Sequence, residues 1–111
     1  MNVKGILDVG VLTNRRTASY TLAIDDSTKI VEMNVASSNN LTVPPNSTVA
    51  FPIGTQVMVS WYGIGQPTIV AGSGVTLRST GGALKIAERY SVVTLIKIAT
   101  NEWYVVGNLT T

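Results

Sequence analysis

The stretch QVMVSWY, from Gln56 to Tyr62, decides how the rest of the chain is read. Val57, Val59 and Trp61 fall on one face of an extended strand; Met58, Ser60 and Tyr62 fall on the other. β-Branched and aromatic side chains suit such a pleated surface. Both faces are largely apolar, the pattern of a strand covered on two sides. One cover is the domain's own core. The other is either the rest of a closed sandwich or a neighbouring subunit, and the pattern fits both.

Upstream, LTVPPNSTVAFPIGT (Leu41 to Thr55) carries no charged residue. Its Pro44-Pro45 pair cannot donate to a central ladder and marks a sheet edge or exit. KIVEMNV (Lys29 to Val35) alternates as a half-buried strand, with Val31, Met33 and Val35 inward. YTLAI (Tyr20 to Ile24) runs into a turn at Asp25-Asp26-Ser27, and SSNN (Ser37 to Asn40) reads as a loop. Downstream, Gly63, Gly65, Gly72, Gly74, Gly81 and Gly82 cut the chain into the short pieces TIVA, VTLRS and ALKIA. Glycine supplies the positive φ that tight turns need, so these pieces read as a meander. VVTLIKI and EWYVVG flank a hairpin loop at Ala99-Thr100-Asn101. LKIAERY offers one helical turn at most. The expected fold is all-β: a compact antiparallel β-sandwich or barrel of short strands over residues 19–111, preceded by a short N-terminal arm, residues 1–18.

The 111 residues make one domain, long enough to bury about 65% of its unfolded surface without staples. Only 13% of them are charged, about half the usual share, while 45% are apolar. Ser, Thr and Asn cover part of the resulting surface. What they leave apolar marks protein contacts, which argues for self-association. The net charge of +2 comes from dispersed bases: Lys4, Lys29, Arg78, Lys85, Arg89 and Lys97, with Arg15-Arg16 the one adjacent pair. That is no nucleic-acid footprint, which needs bases clustered on a face.

The chain has no Cys and no His. This excludes disulfides, thiolate or imidazole metal sites, and His-based triads. The carboxylates Asp8, Asp25, Asp26, Glu32, Glu88 and Glu102 form no facing pair of the glycosidase kind, since the adjacent Asp25 and Asp26 diverge from a turn. GIGQPT and GSGVTLRSTGG lack the third glycine and the Gly-Lys-Ser/Thr ending that phosphate loops require. Phe51, Trp61, Tyr62, Tyr90, Trp103 and Tyr104 read as core and interface fillers; only Arg89-Tyr90 sets a base beside an aromatic. No catalytic residue, cofactor or metal is expected, and the protein is not read as an enzyme. The N-terminal MNVKGILDVGVLTNRR is broken by Lys4 and Asp8 and is not read as a signal peptide. No stretch has the apolar length of a membrane span, so a soluble protein made in a cytoplasm is expected.

Three motifs in order carry a resemblance: NLTVPPNSTVAFPIGT from Asn40, YGIGQPTIVAGSGVTLRS from Tyr62, and YSVVTLIKIATNEWYVVGNL from Tyr90. Together they resemble a β-rich module of tailed-bacteriophage structural proteins, found in capsid decoration or cement proteins and in head and tail fibres. The resemblance spans about three quarters of the chain. It implies a non-enzymatic virion component, a homotrimer, with the major capsid protein and other virion proteins as partners. Because the module fills nearly all 111 residues, a decoration protein on the capsid surface fits better than a fibre behind a long shaft. The alternative is a fibre-tip module that recognises a host receptor or polysaccharide through the glycine loops near Trp61 and Tyr62. Val3, Lys4, Ile6, Leu7, Val9, Val11 and Leu12 are the candidate capsid contact; Phe51, Met58 and Tyr62 are the candidate subunit interface.

Overall fold

The computed structural model describes residues 12–111, which form two packed β-sheets. Eleven strands occur among the described residues: β1 Thr13–Arg16, β2 Tyr20–Thr21, β3 Ile30–Met33, β4 Asn39–Val43, β5 Gln56–Trp61, β6 Pro67–Ala71, β7 Thr76–Arg78, β8 Lys85–Ile86, β9 Val92–Ala99, β10 Glu102–Val106 and β11 Leu109–Thr110. Sheet one has the order β1-β3-β5-β9-β10-β7; sheet two has β11-β8-β6-β4-β2. The all-β reading is therefore correct, and of the expected sandwich or barrel the two sheets form the sandwich-like arrangement.

The direction of the strands is not the expected one. Up to β9 the chain changes sheet at every connection, so β1, β3 and β5 stack in parallel in sheet one and β2, β4 and β6 in parallel in sheet two. Five of the nine strand pairings among the described residues are parallel. The first half of the domain is thus three rungs, β1–β2, β3–β4 and β5–β6, each laid on the one before. Gly/Pro punctuation marks a corner that changes sheet as readily as one that folds back. None of the corners contains the Asn-Gly or Asp-Gly that a two-residue hairpin prefers. The true hairpin is β9–β10, whose turn is Thr100-Asn101 and whose register slips by one residue between Lys97 and Ala99, a β-bulge.

The rungs meet at their corners as well as along their strands. The N–H of Gly63 donates to Met33 O at 3.0 Å, Gly65 to Val35 O at 2.8 Å, and Gly72 to Val43 O at 2.8 Å. A Cβ on Gly65 would lie 1.8 Å from Ser37 O, and one on Gly72 2.7 Å from Val43 O. These glycines are needed for close backbone approach rather than for a positive φ. Asn39, expected in a loop, opens β4 instead; its buried Nδ2 donates to Ser37 O and Gly65 O, tying two corners together.

The core lies between the sheets. Val31, Val59 and Val93 form one inward row of sheet one; Leu41 and Ile69 face them from sheet two. Alternation on Ile30–Met33 and Gln56–Trp61 puts Val31, Met33, Val57 and Val59 inside, as their spacing predicts. Residues 13–16 of the expected N-terminal arm belong to the sheet as β1, because Thr13–Arg16 pairs in register with Ile30–Met33.

Candidate interaction faces

The two sheets turn very different surfaces outward. On sheet one, Ile30, Met58, Thr94 and Val106 stand in one outward row. Ile96 and Tyr104 stand beside each other in another. Val92, Tyr104 and Val106 are all about half exposed. On sheet two the outward positions are Thr21, Asn40, Thr42, Thr68, Val70, Lys85 and Thr110, polar but for one valine. The other outward positions of sheet one are Thr13, Arg15, Glu32, Gln56, Ser60, Thr76, Arg78 and Glu102, so its apolar side chains form a patch over β3, β5, β9 and β10, whereas sheet two turns out a threonine-rich face.

Charges occupy the rims of the apolar face. On β1 and β3, Arg15 Nε donates to Glu32 Oε1 at 3.0 Å; on β7 and β10, Arg78 Nε donates to Glu102 Oε2 at 2.8 Å. Two open grooves border the face. One, of about 610 Å³, is lined by Arg78, Tyr104, Val106 and Asn108. The other, of about 580 Å³, is lined by Ile53, Met58 and Thr94.

At one end of this face two tyrosines and two arginines meet. Arg15 lies 4.2 Å over the Tyr62 ring, Tyr62 meets Tyr90 edge-on at 6.0 Å, and Arg89 lies 4.8 Å over Tyr90. Arg89 Nε also donates to Tyr62 O at 3.1 Å. Only the Arg89-Tyr90 neighbours were visible in the sequence. Arg15 reaches Tyr62 because the rungs stack in parallel, a register no local pattern announces.

Of the candidate subunit interface, Met58 and Tyr62 do lie on or beside the apolar face. Phe51 does not. It is 2% exposed, its ring edge-on to Trp103 at 5.5 Å, and so belongs to the core. The loop between β4 and β5 folds back over the open end of the sheets, and its one aromatic side chain is drawn inward. Val3, Lys4, Ile6, Leu7, Val9 and Val11 lie outside the described residues. Leu12 is 64% exposed, with its carbonyl accepting from Ile30 N–H.

Two polar clusters close the ends of the core. Asp26, the buried member of the Asp25-Asp26 pair, accepts from Tyr20 Oη at 2.6 Å, Asn14 Nδ2 at 2.7 Å and Ala23 N–H at 2.8 Å. Burial and the Asp26 carboxylate together raise the Tyr20 pKa. At the loop end, Lys97 is 2% exposed and its Nζ donates to Asn46 Oδ1 and Phe51 O, both at 2.7 Å. Burial lowers its pKa. Between that lowered value and 10.5 the unfolded chain holds more protons than the folded one, so stability contributed at Lys97 rises with pH there. Lys97→Met should flatten that alkaline rise. At neutral pH it should cost about 2 kcal/mol, because two acceptors lose their donor. Urea unfolding of both proteins across this pH range checks it; a parallel pH dependence would refute the assignment.

No helix among the described residues is long and apolar enough to cross a membrane, and none of their His, Cys, Asp and Glu side chains form a group of three that could hold a metal. No family model, curated protein or solved structure matches the chain.

Proposed function

We propose that this chain is a non-enzymatic structural protein of a tailed-bacteriophage virion, a decoration protein that binds the capsid surface as an oligomer. The observation that carries this reading is the inequality of the two outer faces. A double sheet with one apolar face and one threonine-rich face is built to dock on one side and meet solvent on the other. The bacteriophage setting rests on the three motifs Asn40–Thr55, Tyr62–Ser79 and Tyr90–Leu109. Apolar Val3, Ile6, Leu7, Val9, Val11 and Leu12, with Lys4, supply the proposed contact to the major capsid protein. Imaging the parent particle with gold-labelled antibody should show label spread over the head. Deleting residues 1–12 should abolish binding to bare heads while leaving the β domain folded. Label confined to the tail, or none, would reject the reading; full decoration by the truncated chain would reject the contact.

The Arg15–Tyr62–Tyr90–Arg89 cluster favours the second reading, a fibre-tip module for an acidic polysaccharide. Tyr90 holds a φ of 71°, costly for a non-glycine residue, and such strain gathers at binding sites. Exposed rings can stack on sugar faces while guanidinium groups pair with acidic substituents. A change in Trp61 fluorescence on adding host polysaccharide is the result that would favour this reading.

A further inference from the structure

The geometry points to the outer face of sheet one as the surface on which a second copy of this chain packs, face to face. This deepens the proposed function and rests on its claim that the protein works as an oligomer. Four of the nine large apolar side chains that stay exposed among the described residues, Tyr62, Val92, Tyr104 and Val106, stand on or beside this face. None stands on an outward strand position of sheet two.

Size is the first argument for a second copy. Six strands spaced about 4.8 Å apart, with about 3.4 Å per residue, give a flat area of roughly 500 Å². Side-chain relief and the flanking Ile53, Tyr62 and Tyr90 bring it toward the ~800 Å² per partner of a standard interface.

Charge is the second. Each rim carries an ion pair, Arg15 with Glu32 and Arg78 with Glu102, Arg16 and Arg89 add two bases at the Arg15 side, and the central strands β5 and β9 carry no charge on this face. A strongly charged partner would gain little from such a face. An identical copy can set Arg against Glu at either ion pair, so opposite charges meet whichever rims are brought together. The third argument concerns the edges. The outer strands β1 and β7 of sheet one carry Arg15, Arg16 and Arg78, and the outer strands β2 and β11 of sheet two are two residues long; both features discourage strand-to-strand addition. That leaves the broad face as the route of association.

The test is light scattering of the purified chain across the micromolar range, with Val106→Lys and Met58→Lys on the face and Val70→Lys on sheet two as the control. The wild type should run at a multiple of 11.8 kDa. Each face variant should fall to 11.8 kDa with unchanged circular dichroism, and the sheet-two variant should keep the wild-type mass. A monomeric wild type, or face variants that stay assembled, would overturn the interface. Binding to bare phage heads separates the two claims. An oligomer that Val106→Lys dissolves but that never binds heads leaves the interface standing and the virion reading lost. A monomer that decorates heads does the reverse.

Discussion

Gly65→Ala is expected to cost more than about 4 kcal/mol, enough to leave much of the chain unfolded in water. The added Cβ would sit 1.8 Å from Ser37 O and 2.1 Å from Ser37 C. These are backbone atoms of the neighbouring corner, so no rotamer change relieves the clash; the two corners must separate. Separation breaks the Gly65 N–H bond to Val35 O and the Asn39 amide bond to Gly65 O. The control is Gly74→Ala. Gly74 has a φ of +77° and nothing within 4 Å of a new Cβ, so only backbone strain of about 1–2 kcal/mol applies. Urea midpoints for both variants decide the matter. If Gly65→Ala is no less stable than Gly74→Ala, the corners are not the close-packed joints described above.

Trp103→Ala should cost about 3–5 kcal/mol, the range for removing a buried large aromatic. Trp103 is 1% exposed and stands in register between Lys97 and Leu77. Its ring meets Phe51 edge-on, so its loss opens a cavity and removes the wall against which the β4–β5 loop is seated. The Lys97 bond to Phe51 O should weaken with it, which couples the two sites. A double-mutant cycle with Lys97→Met should therefore show non-additivity. A loss below about 1.5 kcal/mol would mean that the loop collapses into the space, and that Trp103 is not what seats it.

Period-two alternation finds the longer strands and their buried sides, but not β1, which falls in the expected arm, nor the start of β4, which falls in the expected loop. Val31, Met33 and Val35 read inward on spacing alone; Val31 and Met33 are buried, Val35 packs half-buried against the core, and of the two apolar faces left open on Gln56–Tyr62 it is that of Val57 and Val59 that turns inward. It could not give strand direction, because alternation reads the same in a hairpin and in a stacked rung. The six glycines between Gly63 and Gly82 had been given one reason, turn conformation. Gly74, Gly81 and Gly82 do adopt positive φ, whereas Gly63, Gly65 and Gly72 answer to the backbone of the rung beside them. Phe51 was misassigned because a residue between prolines and glycines has no periodicity from which to read its side. The apolar outer face was half visible, in Met58 and Tyr62. Its completion by Val92, Ile96, Tyr104 and Val106 required the pairing of β5 with β9 and β10, which is a fact of tertiary register.

The stacking of rungs also sets a schedule for the growing chain. In sheet one, β5 can pair with β3 once it is made, but its other edge pairs with β9, where Val59 stands against Val93, and β9 lies roughly thirty residues further along the chain. Through all the intervening synthesis, a largely apolar strand would present an unpaired ladder of amides and carbonyls to its surroundings. That interval is the dangerous one for any chain made in many copies at once, since open edges recruit strands from neighbours. The β9–β10 hairpin forms locally and can close the edge in a single step. Its arrival, rather than the completion of the core, is the moment at which each new molecule becomes safe from its siblings.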